Sequence, residues 1–351
     1  MAAKQILERM LSRIPNTMPK HEGSFYHDVL ASAANELSVI DDAVIESRNK
    51  ISVENLTGDE LTQRVNERSG VERKQATYAT GQVTVTGTGT INNGDMFETQ
   101  SGTQFKSIET KAIVANGTIN IEAVIAGNSG NVPANTVSLF PVTLSGFTAV
   151  TNNSPTIDGF NMESDVDLLK RYYDKVRSPA TSNNITHFKS WANSVSGVGD
   201  SRVMPVWDGV NTVKVIIINA SKQPASQAII DDVKNYIDPT DGLGEGQASA
   251  GSVVTVVPAS GLGINIEADI VISSGYDPIV VEATIVNNLA NLLSGIAFVE
   301  SIVSYARIGS TVLNTDGVSD YSNLLVNGDT SNISVEFDEV AIVGTVTINV
   351  T

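Results

Sequence analysis

Residues Thr57–Gln75, TGDELTQRVNERSGVERKQ, lie between two unlike regions of the chain. Within it, Thr57-Gly58-Asp59-Glu60 has the form of a capping box. A Thr57 hydroxyl can accept from the backbone N–H three residues on, and Glu60 can reach back to the N–H of Thr57. Two acids in the first turn suit the positive end of a helix dipole. Gly70 supplies the left-handed position that ends such a helix. The stretch therefore reads as a short capped helix that closes a helical arm and feeds Val71-Glu72-Arg73 into a β region.

Upstream, Ile6, Leu7, Met10, Leu11 and Ile14 recur at helical spacing over residues 3–14, until Pro15 and Pro19 break the pattern. Ser24 is a candidate N-cap for a longer helix over 25–50. Its apolar stripe is Tyr26, Val29, Leu30, Ala33, Leu37, Ile40 and Val44, opposite a face of Glu36, Asp41, Asp42, Glu46, Arg48 and Lys50. The stripe either packs on this chain's own helices or enters a bundle with other chains. Two amphipathic helices with a small local core favour partners, and these seven residues are the candidate contact set.

Downstream the period changes to two. Gln82–Thr86 and Thr118–Ala123 alternate, and Asn93-Gly94, Ser101-Gly102, Asn116-Gly117 and Ser129-Gly130 mark turns, so 76–150 reads as a small all-β domain. The polar run 151–155 reads as a linker. Helices over 164–177 (capped by Ser164) and 184–196, a hairpin 201–206 and 212–219 turning at Asp208-Gly209, a helix 224–237 opened by Pro224, and a strand 252–257 form one α+β unit. Strand 264–273, helix 278–294, a strand at 299–303, helix 305–314, and strands at 320–326, 333–337 and 345–350 form another. Ser196-Gly197-Val198-Gly199-Asp200 and Asp316-Gly317-Val318-Ser319-Asp320 match in position, each ending a helix and opening a strand. The fold class is multidomain α+β: a helical arm 1–75, a small β domain 76–150, and α+β domains 156–258 and 259–351.

Composition narrows the function. The 351 residues exceed one ordinary core, and 41% apolar content is enough for several. A net charge of −17 without a Lys/Arg cluster argues against direct nucleic-acid binding and against anionic membrane surfaces. No continuous apolar run approaches membrane-spanning length, and the first residues lack the apolar core of an export signal, so no membrane insertion and a cytoplasmic place of synthesis are expected. The chain has no cysteine, which excludes disulfides and thiolate chemistry.

The search for chemistry is negative. His21, His27 and His187 have no metal-ligand spacing. Ser249 sits in QASAG, not a nucleophile elbow. Gly242–Gly246 matches neither phosphate-loop pattern and precedes a strand, and the loop AGNSGNVPANTV, residues 126–137, lacks the helix and lysine that a phosphate cradle needs. Paired acids (Asp41/Asp42, Asp165/Asp167, Asp231/Asp232, Glu336/Asp338) are expected by chance in so acidic a chain, and few aromatics stand ready to line a sugar subsite. No catalytic, cofactor-binding or metal-binding residue is assigned. Trp207, beside a hairpin turn, is a candidate contact residue.

Several of these segments also carry a resemblance. TGDEL through SGVERKQATYATGQVTV, the arm EGSFYHDVLASAANELSVID, the glycine-turned INNGDMFETQSGTQFKS, the loop ending in GNV, the acidic ESDVDLLKRYYDKV and the block SVSGVGDSRVMPVWDGVNTVKVIIINA, followed by ASQAIIDDVKNYID, occur in the order of the baseplate J-like family. The resemblance covers residues 20–351. It implies a non-enzymatic wedge protein of a contractile phage tail or tail-like bacteriocin, assembled in the host cytoplasm and released with the particle by lysis. The implied partners are other copies of the chain, a smaller wedge protein, a sheath initiator, the central hub and spike, and receptor-binding fibres. The arm 1–75 would enter the wedge's core bundle, and 259–351 would make ring contacts. The competing readings are a secreted β-rich adhesin or carbohydrate-binding module, which calls for an export signal and aromatic platforms, and a tail-associated hydrolase, which calls for a working carboxylate pair.

Overall fold

The structure, a computed structural model, describes residues 2–177 and 183–350. It divides into a helical unit, residues 1–73 with 164–173, and a larger unit, 74–163 with 174–351.

In the helical unit, α1 (Ala3–Leu11) packs along α2 (Phe25–Asn49) and buries Ile6 and Ala34. Ser24 caps α2, its hydroxyl accepting from the His27 N–H. A single 3-10 turn, Val53–Asn55, leads to α3 (Gly58–Ser69), which Gly70 ends at φ 66°. The first residues of α4 (Asp165–Arg177) return to this unit, where Leu168 and Tyr172 join Val53, Leu56, Leu61, Val65 and Val71 in one apolar core.

The expected capping box is not formed. The Thr57 side chain makes no cap bond. The Asp165 carboxylate takes the Gly58 N–H at 3.1 Å, and Glu60 instead binds the Lys50 ammonium at 2.8 Å. The first turn is thus capped at Gly58 by a charged acceptor from a distant helix, and charge-assisted hydrogen bonds are about twice as strong as neutral ones. Arg73, nearly fully buried, completes the junction: it donates to Asp165 at 2.5 Å, to the Thr62 hydroxyl at 2.7 Å and to the Gly58 carbonyl at 3.2 Å. Nothing in the local sequence of residues 57–60 points to Asp165.

The larger unit opens with a near-barrel. Strands β1 (Thr80–Gly87), β3 (Met96–Thr99), β4 (Gln104–Ser107), β6 (Asn116–Ala123), β7 (Val137–Leu139) and β8 (Phe147–Thr151) form one sheet in the order β7-β3-β4-β6-β1-β8, and β2 (Gly89–Ile91) pairs with β5 (Lys111–Ile113). Alternation puts Val83, Val85, Ile119 and Ile121 inside with Phe97 and Phe105. The sheet closes through a side chain. Asn152, fully buried at the end of β8, accepts from the Thr136 and Val137 N–H groups that lead into β7 and donates to the Pro133 and Ser154 carbonyls.

The run 151–155, expected as a linker, is thus part of this domain. The chain stays bound to the barrel beyond it: Ile157 bridges Thr80, and the buried Thr156 hydroxyl bonds Gly130 and Val132. A Cβ on Gly130 would stand 2.8 Å from that of Ala123, which accounts for the glycine in that loop. Phe160 then enters the core of the next domain.

That domain comprises α5 (Ile185–Ser194), β9 (Val198–Pro205), β10 (Thr212–Asn219), α6 (Gln227–Ile237) and β11 (Val253–Pro258). Its sheet runs β11-β10-β9, with β9 antiparallel and β11 parallel to β10. Pro224 lies outside α6, in a bridge to Ile218, because Ser226 provides a better cap, accepting from the Ile229 N–H. The last domain comprises β12 (Ser260–Ile272), α7 (Pro278–Ile296), β13 (Ile302–Val303), α8 (Tyr305–Leu313), β14 (Val318–Val326), β15 (Ile333–Ser334) and β16 (Glu339–Val350). Its main sheet runs β14-β12-β16, again with one antiparallel and one parallel neighbour of the middle strand. By length and a mean hydropathy of 1.4, α7 could cross a membrane, contrary to the reading of the sequence; here Val281, Ile285, Leu289 and Leu293 are buried on the sheet and Glu282, Asn287 and Asn291 face outward.

The two domains are built alike. Gly197 (φ 82°) ends the segment after α5 and Gly317 (φ 91°) the segment after α8; each precedes the antiparallel edge strand. The residue after each middle strand donates back to the equivalent glycine carbonyl, Ala220 to Gly197 at 2.7 Å and Ser273 to Gly317 at 2.8 Å. Their order along the chain differs: the helix–glycine–strand piece precedes β10 in the first domain and follows α7 in the second. A shared apolar seam joins the domains, with Ile216 and Ile218 of β10 against Ala259, Ala297 and Val340. Above it the Arg202 guanidinium stacks 4.5 Å from the Phe298 ring and 5.3 Å from Phe337, and donates to the Phe337 carbonyl at 2.8 Å.

Candidate interaction surface

The contact residues read from the sequence fall on one face of α2, but not equally. Tyr26, Leu30 and Ala33 are half-buried, while Val29, Leu37, Ile40 and Val44 are exposed, Ile40 to 58% and Val44 to 50%. The difference follows from α1, which covers the flank of α2 marked by Ala34. Steps of three and four keep Val29, Ala33, Leu37, Ile40 and Val44 on a single stripe.

Two residues extend this face. Ile51, 65% exposed, lies seven residues beyond Val44, and Phe25, 75% exposed, meets Tyr26 edge-on at 5.7 Å. The continuing periodicity past the helix end at Asn49 is the signal that would have found Ile51. Ile40, Ala43, Val44, Ser47, Arg48 and Ile51 line a shallow depression of about 360 Å³. Chemically this surface offers aliphatic area with the one Arg48 guanidinium at its rim.

Trp207 stands elsewhere, in the hairpin turn between β9 and β10, with the Lys214 ammonium 5.2 Å from its ring. Its neighbours Val206 and Val210 are more exposed than the indole, and Val206 holds φ 57°. A β-branched residue at positive φ is a strained arrangement. Trp207 belongs to the larger unit and the α2 residues to the helical unit.

The remaining chemically suggestive groups are engaged in structure. Asp165 binds Arg73 and Gly58; the Arg73 guanidinium and then the Gly58 N–H hold its carboxyl below the usual carboxylate range. Asp167 bonds the capping Ser164 hydroxyl, and Asp231 accepts from Gln227. Asp238, in the Gly242–Gly246 region, takes the N–H groups of Gly242 and Val254 and the Lys234 ammonium. His187 lies 3.9 Å from the Trp191 ring, its Nδ1 buried without a partner, and burial pushes its pKa down. Among the described residues no group of three His, Asp or Glu is placed to hold a metal ion.

Comparison with known proteins accounts for this domain order. Residues 82–159 match the Baseplate J-like protein barrel domain, 180–258 the Baseplate J-like central domain and 264–349 the Baseplate J-like protein C-terminal domain. The chain is 34% identical over 347 residues to the phage-like element PBSX protein XkdT of Bacillus subtilis (strain 168), covering 98% of this chain and 96% of that one. It is equally similar, 34% over 351 residues, to the uncharacterized protein YqbT of the same organism, covering 98% and 97%. It shares 32% identity over 203 residues with the baseplate protein gp47 of Escherichia phage Mu, covering 54% of this chain and 56% of gp47. Residues 1–73 of the helical unit lie ahead of the three matched domains, yet the Bacillus relatives align over nearly the whole chain. Three domains in family order, within a likeness that runs nearly end to end, make this chain a member of the Baseplate J-like family.

Proposed function

We propose that the chain is a structural wedge subunit of a contractile-tail baseplate, from a phage or a tail-like bacteriocin. It links hub, sheath and receptor-binding fibres and passes on the trigger for contraction. In this reading the helical unit joins a bundle with another copy of the chain and a smaller wedge protein, and residues 259–351 make ring contacts. Family membership supports the baseplate setting. The single observation that supports the bundle is the row of exposed aliphatic side chains on α2, a helix whose other flank is covered by α1. Monomeric soluble proteins rarely leave such a contiguous patch uncovered.

The wider arrangement suits a mechanical part. Arg202 and the Ile216–Val340 seam hold two α+β domains together, and Phe160 ties the near-barrel into the first of them. Such a block moves as a lever when a ring widens, and a transition of this kind is a rigid-body rotation about interfaces. Co-expression with the adjacent tail genes tests the reading. The full chain is expected in a stable complex with a smaller tail protein, and a chain lacking residues 1–55 is expected to lose it. Retention of that complex by the truncated chain contradicts the bundle assignment.

A further inference from the structure

Trp207 lies in the larger unit, and its surroundings form a second exposed apolar surface. The turn 206–211 joins β9 to β10, and the loop 239–251 leads into β11. β10 and β11 run parallel, so both connections sit at the same end of their sheet. There the Val253 N–H donates to the Asn211 carbonyl at 2.9 Å, and a Cβ on Gly242 would lie 3.4 Å from the Val253 side chain. This end presents Val206, Trp207, Val210 and Leu243; Val210 is 84% exposed, and Val206 and Leu243 are each more than half exposed. Exposed apolar residues scattered singly need no explanation, whereas four gathered at one end of a sheet mark a contact.

The turn is held in shape. The Val206 N–H donates to the Thr212 carbonyl at 2.7 Å, the Asp208 N–H to the Thr212 hydroxyl at 3.0 Å, and that hydroxyl to the Gly209 carbonyl at 2.7 Å. Val206 (φ 57°) and Asn211 (φ 66°) bracket it in the left-handed region. A valine there is held against its own preference, and such strain collects at functional sites. With the loop fixed in advance, little ordering is left to be lost on contact. The Lys214 ammonium lies 5.2 Å from the Trp207 ring and, among the described residues, has no carboxylate partner. In a chain of 39 acidic and 22 basic residues, a lysine left unpaired beside an exposed indole is placed to take its carboxylate from outside.

We infer that the turn 206–211 is a knob that seats in an apolar groove of a different tail protein, where a carboxylate at the rim of the groove meets Lys214. Trp207 supplies the anchor, the usual role of a tryptophan at the centre of an interface. Lys214 supplies selectivity and register. A second copy does not fit. Two convex tips cannot fill one another, and a symmetric pair would set Lys214 against Lys214 and Asp208 against Asp208. The apolar depression on α2 carries Arg48 at its rim, a cation like Lys214. A lipid surface does not fit either, because Asp208 in the turn, and Asp241 and Glu245 in the neighbouring loop, would have to enter it with the apolar side chains. The inference adds a contact to the α2 bundle and rests on the baseplate reading for its setting.

The test uses the full chain, co-expressed with the adjacent tail genes and carrying Val210→p-benzoylphenylalanine or, separately, Leu243→p-benzoylphenylalanine as a photoreactive probe. Irradiation of the purified complex is expected to give a covalent adduct with a tail protein other than this chain, mapped by mass spectrometry to an apolar segment containing Asp or Glu. Adding K214E is expected to cut the adduct yield about tenfold, the scale on which a close charge pair acts, and replacing that acid by lysine in the partner is expected to restore it. W207A should cut the yield as much, with an unchanged melting temperature. An adduct with a second copy alone, a yield insensitive to K214E, or no rescue by the charge swap overturns the inference. Flotation of the chain with phosphatidylcholine vesicles that W207A abolishes overturns it in favour of a lipid surface. A complex that assembles with no adduct from either position overturns this contact alone, whereas failure to recover any complex overturns the baseplate reading as well.

Discussion

Asn152 carries the closure of the near-barrel on one side chain. Its four bonds replace the missing ladder between β7 and β8. Asn152→Ala would leave the Val137 N–H buried and unpaired, and each such group costs about 1–3 kcal/mol. The expected loss is about 2–4 kcal/mol, read as a lower denaturant midpoint with an unchanged slope. The residue scale also holds acid-sensitive groups. His187 is held neutral by burial, so its folded pKa lies below the ordinary 6.5. The associated stability is present above that value and is lost as pH falls through the folded one. Asp165 is depressed by Arg73, so its contribution is present above 3.8 and is lost at still lower pH. Melting curves should therefore weaken in two steps on acidification, with His187→Phe removing the first step and Asp165→Asn reducing the second, to which Asp269, held low by the Asn323 and Asn349 amides, also contributes. At this scale sequence reading did least well. Asn152 was legible only as a polar linker residue, and the acceptor for Gly58 comes from 107 residues away, beyond any local pattern.

At the scale of elements, periodicity was a good guide wherever one face is buried and the other wet. The Ser24 cap, the span of α2, the Gly70 stop, the hairpin of β9 and β10 and the Gly197/Gly317 parallel were all readable, because each depends on residues within a turn or two of one another. The ends of elements moved where a stronger local signal lay inside the expected span, as Ser226 displaced Pro224. On α2, Ile40→Asp with Val44→Asp should change the stability of the isolated chain by less than about 0.5 kcal/mol per site, as exposed substitutions do. The same change should remove its association with tail partners. In the core of the same unit, Leu61→Ala is expected to cost about 2–5 kcal/mol, since Leu61 is fully buried among Val53, Leu56 and Leu168. Thermal melts and co-purification separate the two effects.

For the molecule as a whole, the sequence gives the domain order, and the pairing of sheets across domains comes only from the structure. Residues 212–219 read as one strand of a hairpin, but which domain covers each face depends on Ala259, Ala297 and Val340, far along the chain. Arg202→Ala should loosen that junction without unfolding either domain, seen as faster amide exchange around Phe298 and Phe337. In the proposed reading this Baseplate J-like chain works through its exposed α2 face as an assembled structural subunit. The most direct test is co-expression of the full chain, and of its Ile40→Asp/Val44→Asp variant, with the adjacent tail genes, followed by sizing and electron microscopy. The prediction is a stable complex or ring for the parent and a folded, unassembled chain for the variant. A parent that stays alone, or a variant that assembles equally well, would contradict it.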